Sequence, residues 1–171
     1  MRIYNVSKSI REDLTDYLAK TFPRAPPLKT KDLKVAEGSD PTASIVFDES
    51  ESLYLGSPQS KKKGDTKSQV YFPLLKDKWL LPSLPIITVD AGAIKFVVNG
   101  ANVMRPGIKA FEGEFAAGDI VVVKEEKFGK AIAIGRTKLS RPEMEATEKG
   151  AVIENLHYVG DKFWDMMKEI P

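Results

Sequence analysis

The second half of this sequence is divided into short apolar segments, and this division limits the folds open to it. The segments are rich in β-branched residues and are separated by glycine, proline or charged residues; examples are IITV (86–89), DIVVV (119–123), AIAIG (131–135) and AVIENLHYV (151–159). Runs of this length and composition are typical of strands. Between them AGAIKFVVN (91–99) has helical spacing, with Asp90 placed to cap it. Many short strands around one short helix predict a compact, mainly β barrel.

The first half has a different organisation. Residues 7–23 place Ile10, Leu14 and Leu18 at helical spacing, with Ser9 as the candidate cap and Pro23 after the end. The next segments predict an antiparallel meander, with Pro73 at an edge or next to a bulge; they are LKVAEG (33–38), ASIVFDE (43–49), SLYLG (52–56) and VYFPLLK (70–76). The stretch PSLP (82–85) predicts a boundary. We therefore expect an α+β domain over residues 1–84 and a mainly β domain over residues 85–171.

Composition excludes several classes of protein. The 171 residues include no cysteine, which excludes disulfides and thiolate zinc sites and is typical of a reducing compartment. No apolar run reaches membrane-spanning length, and the N-terminus lacks the apolar core of a signal peptide, so we expect a soluble cytoplasmic protein without a membrane partner. The net charge of +2 means that any nucleic-acid binding must come from a local patch.

Several motifs that suggest chemistry are better explained by structure. GSPQSKKKGDT (56–66) lacks the second glycine of a phosphate-binding loop and is expected to be a solvated loop. Asp48 and its acidic neighbours lack the spacing of a calcium loop and are expected in an exposed turn. His157 is the one histidine of the chain, and no nucleophile motif accompanies it, so it is expected to be structural. Trp164 has a spacing that suits packing in the core. The sequence therefore predicts no catalytic residue, no metal site, no cofactor and no enzyme activity.

One corner of the predicted barrel, NGANVMRPGI (99–108), has two open interpretations. Gly100 suits the left-handed end of a helix, and Pro106 with Gly107 predicts a type II turn. The result would be a rigid ledge with free backbone N–H groups, Arg105 beside it and Lys109 beyond. Such a ledge suits phosphates and unpaired base edges. The same pattern also fits a plain barrel corner with an arginine in a surface ion pair.

A family resemblance favours the first interpretation. The segments that carry it are DAGAIKFVVNGANVMRPGI (90–108), GDIVVV (118–123), AIAIGRTKLS (131–140) and KGAVIENLHYVGDKFW (149–164). From about Pro85 to Trp164 the chain resembles a PUA domain, an RNA-binding module. The whole chain is similar to the short translation-machinery-associated proteins, whose eukaryotic relative is the malignant T-cell-amplified-sequence protein, although its N-terminal part matches more loosely.

The resemblance implies a PUA pseudobarrel and a set of RNA-binding residues. The first segment contributes Lys95, Gly100, Ala101, Asn102, Arg105, Pro106 and Gly107. The strand AIAIG and the residues after it contribute Arg136, Lys138 and Arg141. Asn155, His157 and Tyr158 also match the family, and we assign them to maintenance of the fold.

The resemblance also implies a function. We expect a non-catalytic, translation-associated protein that binds tRNA or ribosomal RNA, with the ribosomal small subunit and a separate initiation-factor-like protein as further partners. One alternative is an accessory protein that delivers RNA to a separate modifying enzyme. Another is a protein-interaction module without RNA binding, which the near-neutral charge favours.

Overall fold

The computed structural model describes residues 1–58 and 70–171, and these divide into two compact units. The first unit is Met1–Ser83 with Asp165–Pro171, and the second is Leu84–Trp164. The last seven residues thus fall in the first unit, whereas the sequence placed them with the second domain. Most of the predicted lysine-rich loop, with Lys61, Lys62 and Lys63, lies outside the described residues.

The first unit combines one long helix with a five-stranded antiparallel sheet. The helix is α1 (Lys8–Thr21), and the strands are β1 (Arg2–Asn5), β2 (Lys34–Glu37), β3 (Ala43–Asp48), β4 (Leu53–Pro58) and β5 (Phe72–Pro73), paired in that order. The predicted meander is confirmed, and Pro73 lies in an edge strand. The cap of α1 is Ser7, not the predicted Ser9: the Ser7 hydroxyl accepts the Ile10 N–H at 3.3 Å.

Two buried carboxylates anchor loops of the first unit. Asp48 is buried, contrary to the exposed turn expected from the sequence, and accepts hydrogen bonds from Ser50 and from the Thr30 hydroxyl. Asp77 is also buried and accepts the N–H groups of Tyr54 at 2.8 Å and Leu80 at 2.7 Å. Asp77 thereby satisfies buried backbone donors, whereas the backbone donor that Asp48 satisfies belongs to Ser50, an exposed residue.

The second unit is a curled six-stranded mixed sheet with short helices. Its strands are β6 (Ile86–Val89), β7 (Val103–Met104), β8 (Ile108–Glu112), β9 (Ile120–Glu125), β10 (Ala131–Thr137) and β11 (Ala151–Tyr158), in the spatial order β7-β11-β10-β9-β6-β8. The helices are α2 (Ala91–Val97) and α3 (Arg141–Ala146), and α4 (Lys162–Glu169) crosses the division between the units. Strand β8 was missed from the sequence, because most of its side chains are exposed and its apolar alternation is weak.

The core of the second unit is aliphatic. It is formed by buried side chains of β6, α2, β9, β10 and β11, including Ile87, Val97, Val121, Val123 and Ile153. Strand β10 has a register shift at Ile134/Gly135, where it pairs with β11. Among the described residues no helix has both the length and the hydropathy needed to cross a lipid bilayer.

Candidate nucleic-acid interface

Helix α2 separates a buried face from an exposed one. As predicted, Asp90 caps the helix: its side chain accepts the Ala93 N–H at 2.9 Å. Val97 points into the core, whereas Lys95 and Phe96 are exposed, and 58% of Phe96 is accessible to solvent. An aromatic side chain this exposed, on a helix whose core contacts are already made, is available for binding.

The helix ends in a corner held by backbone hydrogen bonds. Gly100 has a φ of 91°, the left-handed conformation predicted for it. A side chain at this position would also crowd the Tyr158 ring, since a Cβ would lie 3.1 Å from the Tyr158 hydroxyl. The N–H groups of Gly100 and Ala101 donate to Val97 and Phe96. The predicted ledge of free N–H groups is therefore wrong at these two residues, because α2 uses both donors to finish its last turn.

Asn155 fixes this corner from the neighbouring strand β11. Its side-chain Nδ2 donates to the carbonyls of Val97 at 2.9 Å and Ala101 at 3.0 Å. Its backbone N–H donates to the Asn102 side chain at 3.0 Å. One amide side chain thus satisfies the end of α2 and the start of the next segment, which makes the corner rigid.

The Arg-Pro-Gly sequence forms a short 3-10 turn, Arg105–Gly107, rather than the predicted type II turn. Gly107 does not adopt a left-handed φ. Its small size matters for a different reason: a Cβ there would lie 3.3 Å from the Ala93 Cβ. The Gly107 carbonyl also accepts the Asp90 N–H at 2.8 Å. Glycine therefore allows the turn to pack closely against the start of α2.

Together α2, the corner and the turn surround an open groove of about 650 Å³. Its main lining residues are Ala93, Phe96, Ala101, Asn102, Met104, Pro106, Gly107 and Ala151. Met104 is 51% exposed and Phe96 58%, so two large apolar side chains border a concave surface. A groove with apolar walls, a few polar groups and a nearby lysine suits the flat face of a base.

Arg105 contributes to this surface differently from the prediction. It is half-buried, and its Nε donates to the Met144 carbonyl at 2.8 Å. Its guanidinium lies 5.3 Å from the centre of the Phe111 ring. These contacts tie the turn to α3 and to β8, so the side chain stabilises the position of the turn.

The other predicted cations fall into two groups. Arg141 bonds Glu145 at 2.7 Å, which raises the pKa of its guanidinium, and also donates to the Gly113 carbonyl. Arg136 lies 3.7 Å from Glu154 on the adjacent strand. By contrast, Lys95, Lys109 and Lys138 are exposed. The lysines are therefore better placed than the arginines to meet an anionic ligand.

The structure brings together part of the predicted set. Ala101, Asn102, Pro106 and Gly107 line the groove, with Lys95 and Gly100 on the elements that border it. Arg136, Lys138 and Arg141 lie on β10, α3 and the connection between them, and do not line it. Sequence reasoning missed Phe96 and Met104. An aromatic residue outside the core-facing positions of α2 was the signal that could have identified Phe96.

Two other predicted features can be placed. His157 is fully buried, and its Nδ1 lies 2.9 Å from the Asp161 carboxylate while its ring packs against Phe163. Trp164 is half-buried, whereas its spacing predicted a fully buried position in the core. Within residues 1–58 and 70–171 there is no group of three or more side chains that could hold a metal ion.

Comparison with known proteins identifies the second unit. Residues 85–159 match the sequence model of the PUA domain. An uncharacterized protein of Methanocaldococcus jannaschii is 46% identical over 91 residues, which are 52% of this chain and 56% of the relative. Translation machinery-associated protein 20 of Schizosaccharomyces pombe is 42% identical over 87 residues, 48% of each chain. Malignant T-cell-amplified sequence 2 of Homo sapiens is 42% identical over 86 residues, also 48% of each.

Solved structures extend the likeness to the fold of nearly the whole chain. A hypothetical protein of Pyrococcus horikoshii superposes with a TM-score of 0.69 at 27% identity, over 96% of this chain and 98% of that one. A PUA-domain structure from Aeropyrum pernix, solved as a tartrate complex, gives a TM-score of 0.71 at 19% identity, over 98% of this chain and 91% of that one. The second likeness supports the fold alone.

The chain is thus an α+β protein that contains a PUA domain, as the sequence predicted. The relatives matched by its sequence include proteins named as translation-machinery-associated and malignant T-cell-amplified sequences. The chain spans about half the length of the curated relatives it matches.

Proposed function

We propose that this protein binds RNA through the groove beside α2 and acts in translation without catalysing a reaction. The observation that carries the proposal is the combination of a rigid open groove with exposed Phe96 and Met104 and with Lys95 on the same helix. A base can stack on the aromatic ring while the ammonium group meets a phosphate. The names of the relatives support a role in translation.

In this mechanism the RNA enters with an unpaired end or loop. Phe96 and Met104 supply apolar surface for bases, and Asn102 supplies a polar group for a base edge. Lys95 and Lys109 neutralise phosphates, with Lys138 as a more distant contact. Gly100, Ala101, Pro106 and Gly107 shape the surface, and Arg105 holds the turn through its contacts with Met144 and Phe111. Arg136 and Arg141 lie outside the groove, in ion pairs with Glu154 and Glu145. A tRNA acceptor end or a single-stranded segment of ribosomal RNA fits this description.

Substitutions on α2 test the groove. We expect Phe96→Ala to weaken binding of fluorescently labelled, unfractionated tRNA by about fivefold to a hundredfold, as for other stacked bases. Lys95→Gln should reduce the slope of log affinity against log salt concentration by about one, as for the loss of one phosphate contact. Fluorescence anisotropy over a range of salt concentrations measures both effects.

Matched controls separate the groove from a general loss of charge or aromatic surface. Tyr4→Ala removes an exposed aromatic of the first unit, and Lys8→Gln removes an exposed lysine of α1. Both variants should bind like the unaltered chain. Equal affinities for the groove variants and the controls would contradict the proposal.

Co-purification tests the role in translation. We expect ribosomal small subunits or tRNA, with an initiation-factor-like protein as the associated partner. Recovery of an RNA-modifying enzyme would favour the accessory alternative. Association that survives ribonuclease and is unaffected by Phe96→Ala would favour a protein-interaction module.

A further inference from the structure

The hairpin between β9 and β10 ends in an exposed aromatic side chain that the groove does not explain. Phe128 is 72% exposed, more than the other large apolar side chains that the structure describes as exposed. Lys127 and Lys130 beside it are also exposed. A hairpin turn needs glycine at a left-handed position, which Gly129 supplies with a φ of 68°, but it does not need phenylalanine. Folding of the hairpin therefore does not require Phe128.

The loop is held rigidly by one carboxylate. Glu125 is 5% exposed and accepts backbone N–H groups from Lys127 at 2.6 Å, Phe128 at 2.9 Å and Lys130 at 3.0 Å. These bonds, with that of Lys130 foremost, lower the pKa of Glu125, so the carboxylate stays ionised at neutral pH. A side chain presented on a loop this ordered loses little conformational entropy when it binds a ligand.

The charges around Phe128 suit an anionic partner. The Lys127 ammonium group lies 5.2 Å from the centre of the Phe128 ring, and Lys124 and Lys130 flank the loop. The nearby carboxylates are engaged with backbone: Glu125 with the loop, and Glu126 with the Ala91 N–H at 3.3 Å. Glu126 is exposed as well. The exposed groups of the tip are thus one aromatic ring, the ammonium groups of Lys127 and Lys130 and one carboxylate, and an aromatic ring beside net positive charge is the combination that binds single-stranded nucleic acid.

The base of the β9–β10 hairpin contacts the start of α2, the helix that borders the groove. The Glu126 N–H donates to the Val89 carbonyl at 3.0 Å, and its carboxylate accepts the N–H of Ala91, the first residue of α2. Asp90 and Gly92, the neighbours of Ala91, line the groove. A strand of RNA that leaves the groove at this end of α2 would therefore pass the base of this hairpin.

We propose that the β9–β10 tip, made of Phe128 with Lys124, Lys127 and Lys130, is a second contact for single-stranded RNA. One base stacks on Phe128, and the lysines contact the adjoining phosphates. The proposal rests on RNA binding by the groove. It adds a site outside the residues expected from the sequence and lengthens the RNA that the domain can hold.

The test uses the full chain and a labelled 12-nucleotide RNA of random sequence. We expect Phe128→Ala to weaken binding by about fivefold to a hundredfold, and Phe128→Tyr to bind like the unaltered chain, because tyrosine keeps the stacking surface. Replacing Lys127 and Lys130 together by glutamine should reduce the slope of log affinity against log salt concentration by about 1.4, because each lost phosphate contact on a single strand accounts for about 0.7. In a Phe128→Trp variant, RNA should quench the added tryptophan fluorescence. Because Phe128 is exposed, we expect all these variants to fold like the unaltered chain, and circular dichroism checks this.

The outcomes separate the two proposals. If Phe96→Ala weakens binding while Phe128→Ala does not, the tip is not an RNA contact and the groove proposal stands. If the unaltered chain does not bind the 12-nucleotide RNA or tRNA at all, RNA binding by the groove fails and the tip proposal fails with it. Loss of binding in both variants supports both sites.

Discussion

Asn155 shows how one residue can hold the corner beside the groove from a neighbouring strand. Its side chain bonds two carbonyls, of Val97 and Ala101, that belong to the corner beside the groove. We expect Asn155→Ala to lower the free energy of unfolding by about 1–3 kcal/mol, because the part-buried Val97 carbonyl and the more exposed Ala101 carbonyl lose their donor. It should also weaken tRNA binding, since the corner loses its support. Urea denaturation and anisotropy measure the two effects.

The control for this prediction is Asn99→Ala. Asn99 donates at 2.7 Å to the Lys95 carbonyl, but it lies at the exposed end of α2. Its replacement should change stability by no more than about 0.5 kcal/mol. Equal effects of the two substitutions would show that Asn155 has no special role.

Asp77 makes the stability of the first unit depend on pH. Burial raises the pKa of Asp77 to about 6, although the backbone N–H groups that it accepts act in the opposite direction. A carboxyl whose pKa is raised on folding binds its proton more tightly in the native state. Its contribution is therefore fully present below the unfolded pKa of about 4 and is lost as the pH rises through about 6.

The measurement compares the unaltered chain with Asp77→Asn between pH 4 and pH 7. We expect the stability of the unaltered chain to fall relative to the variant as the pH rises, by up to about 3 kcal/mol for a shift of roughly two units. A difference between the two proteins that stays constant across this range would mean that Asp77 titrates normally.

At the scale of elements, Gly135 is a glycine with no room for a side chain. It lies at the register shift in β10, and a Cβ there would come within 2.3 Å of Ile153 Cγ2 and 3.0 Å of the Glu154 carbonyl. We expect Gly135→Ala to destabilise the protein by about 1–3 kcal/mol through overpacking. Thermal or urea unfolding measures the change.

Gly92→Ala, in helix α2, is the matched control for Gly135→Ala. Gly92 lies in the first turn of α2, and the nearest atom to a Cβ there is an Asp90 side-chain oxygen at 3.5 Å. Alanine at this position should stabilise the protein by about 0.5–1 kcal/mol, because it restricts the unfolded chain. A Gly135→Ala variant as stable as the Gly92→Ala variant would contradict the packing argument.

Most elements could be predicted from the sequence because their cause is local. Asp90 as a cap, Gly100 as a left-handed stop and Pro73 at an edge all follow from the chemistry of one residue. The features that were missed depend on contacts distant in the chain. Position 107 requires a small residue because Ala93 packs against it. Most side chains of β8 are exposed, so its alternation of apolar and polar residues is weak. The groove itself follows from how α2 packs, which no local pattern records.

The site was predictable to a similar extent. The family resemblance identified the segment that surrounds the groove, including Asn102 and Pro106. It could not assign roles within that segment. Arg105 carries the charge expected of a phosphate contact, yet its Nε is held by the Met144 carbonyl. Phe96 carries no charge and was not selected, although its exposure makes it the better candidate.

At the scale of the whole molecule, the division into units predicts separable roles. The second unit contains all six strands of its sheet, both α2 and α3, and the groove. We expect a fragment that begins at Leu84 to unfold cooperatively and to keep its affinity for RNA. Fragments ending at Trp164 and at Pro171 should be compared, because the division of the chain falls within α4. A folded fragment without RNA binding would transfer the site to the first unit.

The most direct test of RNA binding by the groove is ultraviolet crosslinking of the full chain to tRNA, followed by mass spectrometry of tryptic peptides. Trypsin cuts after Lys95 and leaves the Arg105–Pro106 bond intact, so one peptide, residues 96–109, carries Phe96, Met104 and the corner. Binding in the groove predicts that this peptide is crosslinked, and that Phe96→Ala reduces the crosslink. Crosslinks confined to residues 1–83, with this peptide unmodified, would contradict it.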